Sequence, residues 1–264
     1  MQGTWPSHPA LLDWLATDLR EKWDLQDSIR TIVLSATYRQ QSGAGSNKLL
    51  GHYPRQRLGA EVIRDQALHV SGLLVEASGG ASVKPYQPDG LWKEVAMPQS
   101  NTRIFEQDMG DDLWRRSLYT YWKRAAPPPS MLTFDAPTRE FCSSRRLPTN
   151  TPLQALVLWN DPQFVEAARH VAARTLEGAP DTPSRLNYLY RLCTGTSPSG
   201  AIAATMTEAI EYWLNRYGHA PEDAAAMLAV GESSDFENLP ADELAAWAMV
   251  ASAVLSSDAT IVKD

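Results

Sequence analysis

Cysteine is almost absent from this chain of 264 residues: only Cys142 and Cys193 occur, in neither a CxxC nor a CxxCH arrangement. That excludes a thiolate zinc cluster and a haem attached to this chain through its own cysteines. The pair can be a disulfide or two free buried thiols, and spacing does not choose between them. Histidine is sparse too. His8, His52, His69, His170 and His219 share no helical face at ligand spacing, and none is followed by glutamate, so the HExxH zinc helix is missing and no metal site is expected. His52, in a loop, is the one candidate for a ligand or proton donor, although a structural role carries more weight. No serine sits in GxSxG or three residues before a lysine, which removes the nucleophile elbow and the SxxK pair. Gly43 to Lys48 lacks GKS or GKT and follows a helical stretch, so it reads as a connector rather than a phosphate loop. Nor is there an apolar run long enough to cross a bilayer, or a signal-peptide pattern in Met-Gln-Gly-Thr-Trp-Pro.

What the chain has is 44% hydrophobic and 21% charged residues, the balance of a globular protein, and nine tryptophans whose first use is bulk in a core or interface. Its net charge of −7 is unevenly spread. Arg115 to Asn150 holds seven basic and two acidic residues, whereas Ala201 to Asp264 holds two basic and eleven acidic. The two segments can pack against each other electrostatically, or the basic one can hold an anion. An acidic protein with so short a basic segment is a poor duplex binder, so no nucleic-acid partner is expected.

Periodicity predicts a mostly α, irregular multi-helix domain with a long ordered loop region and one or two short β-strands in the middle. One domain over 1–264 is expected, with N-terminal helices in 1–78, a loop and strand insert in 79–149, and C-terminal helices in 150–264. Ser7 is placed to cap a first helix with Leu11, Leu12, Leu15 and Leu19 on one stripe; Asp24 starts a second, carrying Leu25, Ile29, Ile32 and Val33. A third is expected over Arg57 to Val75, with Leu58, Val62, Ile63, Ala67, Val70 and Leu74 inward. Glycines and prolines punctuate 79–112, while Ser117 to Trp122 alternates like a strand ended by Pro127-Pro128-Pro129. Thr151-Pro152 and Asp161-Pro162 each begin a helix, and more follow over Ser184–Leu192, Ser199–Tyr217, Pro221–Val230 and Pro240–Ser257.

The densest chemistry lies between Arg115 and Asn160. Arg116, Tyr119, Tyr121, Asp135, Arg139, Glu140, Arg145, Arg146 and Asn150 are the types that grip an acidic or sulfated glycan, with guanidinium forks on the anion and ring faces on sugar carbons. Asp135 and Glu140 can also be read as the acid and base of a glycoside hydrolase. A buried network in which Asp135 and Glu140 neutralise Arg139, Arg145 or Arg146 explains the same residues and carries more weight, because ion-pair networks imitate sites.

The order of motifs resembles the planctomycete-specific C-terminal domain, a family of unknown function found at the end of large cytochrome-c-like proteins. The resemblance rests on Pro6-Ser7-His8-Pro9 with Leu11 to Leu15, Ser35 to Gln40, Gly79-Gly80 leading to Lys84-Pro85-Tyr86-Gln87-Pro88, and the Arg115 to Asn160 run. Ala81 departs from it where proline is usual, as does Thr196 where arginine is common. The resemblance implies a preceding planctomycete-specific domain as partner, an exported parent, and a c-type haem only in the parent's N-terminal region, with no cofactor in this chain. It also implies that the chain is a fragment or the product of a split reading frame. The expected function is a non-catalytic structural or interaction domain; the alternative is binding or degradation of an acidic or sulfated polysaccharide.

Overall fold

The computed structural model describes residues 5–43, 47–143, 145–233, 236 and 238–263. It is mostly α, as the periodicity predicts: 56% helical, with twelve α-helices and a single two-stranded sheet among the described residues. Two compact units are formed, one from Met1–Arg57 with Val262–Asp264 and one from Leu58–Ile261.

The first unit contains α1 (Pro9–Lys22), α2 (Leu25–Leu34) and β1 (Gln56–Arg57), which pairs antiparallel with β2 (Val262–Lys263). Pro9 occupies the first turn of α1, but the cap position belongs to His8 and not to Ser7, whose hydroxyl instead bonds His8 Nδ1 at 3.0 Å. Asp24 caps α2 by accepting the Asp27 N–H at 3.0 Å. Lys22 ties the corner, lying 2.9 Å from Asp18 and 2.8 Å from Asp27. Around the sheet, the Lys263 ammonium sits 3.7 Å from the Tyr38 ring centre and 4.2 Å from that of Tyr53. Ala44, Gly45 and Ser46 of the expected connector lie outside the described residues.

The second unit holds α3 (Ala60–Ser71), α4 (Leu91–Val95), α5 (Pro129–Thr133), α6 (Pro152–Asn160), α7 (Pro162–Gly178), α8 (Thr182–Thr194), α9 (Gly200–His219), α10 (Pro221–Leu228), α11 (Ala241–Leu255) and α12 (Asp258–Ile261). Helices α7 and α11 form its centre. Ala168 and Ala172 of α7 and Ala248 and Ala251 of α11 are small enough for two helices to approach closely, and Val171, Leu244 and Trp247 fill the space beside them. Leu189 of α8 and Ile210 of α9 close the same cluster. A second cluster joins Ile63 of α3 to Met131, Phe134, Leu158 and Phe164.

Three local expectations are corrected. Helix α3 is shorter than Arg57 to Val75, because Gly59 precedes it and Gly72, at φ +85°, ends it; Val62, expected inward, is exposed. The long loop region contains α4, which buries Trp92 against Phe105 (centres 5.0 Å) and Tyr121 (5.5 Å). Ser117 to Trp122 is not a strand: Ser117–Tyr119 is a 3-10 turn, followed by a single parallel bridge between Val83 and Thr120. Val83 N–H donates to Tyr119 O at 2.8 Å and Tyr121 N–H to Val83 O at 2.7 Å. The next donor of a parallel ladder would be residue 85, a proline without an N–H, so the pairing stops there. The cysteine alternatives also close: both thiols are free, Cys142 exposed and Cys193 buried.

Candidate functional site

The arginines between Arg115 and Asn150 are largely spent on the protein itself. Arg115 donates to Ala81 O at 2.9 Å, to Ala77 O at 3.2 Å and to Gly79 O, and its guanidinium lies 4.0 Å from the Tyr119 ring centre. Tyr119 accepts the Gly79 N–H at 2.8 Å, so this pair fixes the Gly79-Gly80 turn. Arg116 is exposed, 3.5 Å from Glu76. Tyr121 packs beside Trp92. Asp135, at φ +61°, accepts from the Thr149 N–H at 2.8 Å and its hydroxyl at 2.9 Å. Arg139 covers Trp122 at 4.6 Å. The partner of Arg146 is Glu61 of α3 rather than Asp135 or Glu140, in a two-point contact of 2.6 and 2.9 Å. That fork holds the Glu61 carboxyl below its ordinary range. Glu140, Arg145 and Asn150 are exposed.

Two buried polar centres escaped the sequence reading. Arg64 of α3 is enclosed and donates to Gln163 Oε1 (2.7 Å), Leu113 O (2.7 Å), Arg115 O (2.8 Å) and Ser117 Oγ (3.2 Å), cementing α3, α7 and the irregular 113–117 segment. Loss of water pushes it down to about 10. Glu166 of α7, also fully buried, accepts from Trp114 Nε1 (3.0 Å), the Tyr86 hydroxyl (3.1 Å) and the N–H groups of Glu232 and Ser233 (2.9 Å each). Arg169 lies 3.8 Å away and donates to Leu228 O and to Ser233 Oγ (2.9 Å); Ser233 Oγ is also 2.6 Å from His170 Nε2. Their signal was present, since Glu166 and Arg169 interrupt an otherwise apolar stripe.

Beside these centres a cleft of about 600 Å³ opens between α5, α6 and the 86–88 segment, walled by Pro88, Pro129, Leu153, Leu156, Val157 and Pro162. Asp161, the cap of α7, also lines it. Burial raises its carboxyl to about 6, against the pull of the Gln163 N–H and the Ser130 hydroxyl. Leu153 and Leu156 are more than half exposed. In the first unit exposure is broader. Helix α1 buries no residue, α2 buries only Ser28, and Leu11, Leu12, Trp14, Leu25, Ile29 and Ile32 face outward. Trp23, 85% exposed, ends α1 in the left-handed conformation at φ +48°, which a bulky residue rarely adopts.

Among the described residues no group of three or more His, Cys, Asp or Glu side chains is placed to hold a metal, and no helix is long and apolar enough to cross a membrane. Fold and surface together define a helical module with a polar cement inside and apolar helix faces outside. Residues 1–210 match the family model described as PSD1, protein of unknown function (DUF1553), and the chain belongs to that family. No curated protein and no solved structure matches it.

Proposed function

We propose that the chain is a non-catalytic interaction module that presents the outer faces of α1 and α2 to a neighbouring protein domain. The observation that carries this is the absence of buried residues in α1 together with the exposure of Leu11, Leu12, Trp14, Leu25, Ile29 and Ile32. Isolated helices of this length gain little from propensity and hold through packing of an apolar face. Contiguous apolar surface of this kind marks interaction sites, and aromatic anchors dominate their energetics. An exposed tryptophan held in a costly backbone conformation fits such an anchor. The partner in this reading is the one that the family resemblance implies, a preceding domain in a larger, exported, cytochrome-c-like protein.

Co-expression with that preceding domain tests the reading. A complex should co-purify, and Leu12→Glu or Ile29→Glu should weaken it at least ~30-fold, the scale of an interface hot spot. If the unmodified chain is monomeric, stable and indifferent to the co-expressed domain, the reading fails.

A further inference from the structure

We propose that the cleft walled by α5 and α6 is a binding site for a small organic amine, an ammonium group carried on an aromatic or branched apolar body. The cleft of about 600 Å³ falls within the span that encloses small ligands, and its walls are mainly proline and aliphatic side chains. Asp161 is the one charged side chain among the described residues that line it. One of its oxygens accepts the Gln163 N–H at 3.1 Å, and the Ser130 hydroxyl and the Gln163 side chain are further hydrogen-bonding neighbours. The charge of Arg64 acts on Asp161 through space, but the Arg64 guanidinium spends its hydrogen bonds on Gln163, Leu113, Arg115 and Ser117 and forms no direct ion pair with Asp161. An anionic oxygen at the edge of an apolar enclosure has no cation in direct contact with it, and an ammonium ion would make that contact while its hydrocarbon body covers the walls. Gln107, together with the Gln87 NH2 and the Asn160 Oδ1, whose other amide atoms bond Trp92 and Leu156 O, adds neutral hydrogen-bonding groups that can orient such a guest. A carboxylic acid of the same shape would be repelled, and a neutral alcohol would gain the walls alone.

Titration of the full chain with phenethylamine, 2-phenylethanol and 3-phenylpropionate, followed by calorimetry and by chemical shifts of the Leu156 and Val157 methyl groups, separates these cases. The amine should bind at least ~10-fold more tightly than the alcohol, with the acid weakest. Asp161→Asn, which keeps a good helix cap, should bring the amine down to the alcohol. Leu156→Gln, a neutral change at an exposed position, should weaken amine and alcohol alike and checks the walls should the first variant fold poorly. Equal affinity for amine and alcohol, an amine preference that survives Asp161→Asn, methyl shifts elsewhere only, or no binding by any of the three would overturn the proposal. The partner experiment above reads a different surface and stands or falls separately.

Discussion

Glu166 and Asp161 lie five residues apart and respond to pH in opposite senses. Burial alone would raise Glu166, but hydrogen bonds from Ser233, Trp114 and Glu232 outweigh it and hold the carboxyl below its ordinary range. Its stabilisation is therefore present above the unfolded glutamate value and disappears as pH falls through the lowered native one. Asp161 is raised to about 6, so its contribution is full below the ordinary aspartate value and is lost as pH rises through 6. Asp161→Asn should raise stability at pH 8 by about 1–3 kcal/mol and leave it nearly unchanged at pH 3.5, read from chemical denaturation at both values. Glu166→Ala should cost about 3–5 kcal/mol at pH 7, because Arg169 stays buried without its counter-charge. Gly231→Ala attacks the same centre from the backbone: φ is +90°, and a Cβ would stand 2.7 Å from Glu166 Oε1. A loss of about 2 kcal/mol or more is expected from strain and overlap. The thiols give a separate readout. Cys142 should react with a disulfide reagent at once, whereas Cys193, buried and pushed up to about 12, should react only when the chain unfolds.

At the scale of elements, the helices were legible where local chemistry marks both the start and the inner face. Pro152, Pro162, Pro221 and the capping residues Asp24, Asp161 and Ser199 stand at helix starts in the structure. Two local signals misled. Val62 has the spacing of a core residue in α3 but lies outward, because spacing places a side chain on a helix face without saying which faces are covered. Alternation over Ser117 to Trp122 could not foresee that a proline would block its ladder partner. The polar residues of the Arg115 to Asn150 segment were legible as residue types but not as a set of pairs: the partner of Arg146 is Glu61, 85 positions earlier, and no local rule connects them. Helix α11 makes the point physically, since it lies beyond the residues that match the family and yet supplies Leu244, Trp247 and Ala251 to the centre. A chain ending at Ile210 should show no cooperative thermal transition by circular dichroism; a sharp one would mean that α7 finds another cover.

The whole molecule is divided unequally. The second unit is continuous from Leu58 to Ile261 and, among the described residues, supplies every member of both apolar clusters. Residues 58–261 expressed alone should therefore unfold cooperatively, with a midpoint within a few degrees of the full chain; a molten, dye-binding product would show that the division is not energetic. The first unit is discontinuous, for β1 finds its strand partner in β2, about two hundred residues further along. Chains emerge from the ribosome at roughly 5–20 residues per second, so Gln56 and Arg57 would wait on the order of 10–40 seconds for Val262 and Lys263 to be made. Throughout that interval the nascent N-terminal hairpin carries its leucines and tryptophans without the lysine that later closes over Tyr38 and Tyr53. Biosynthesis thus opens a window in which holdase chaperones can reach that apolar surface.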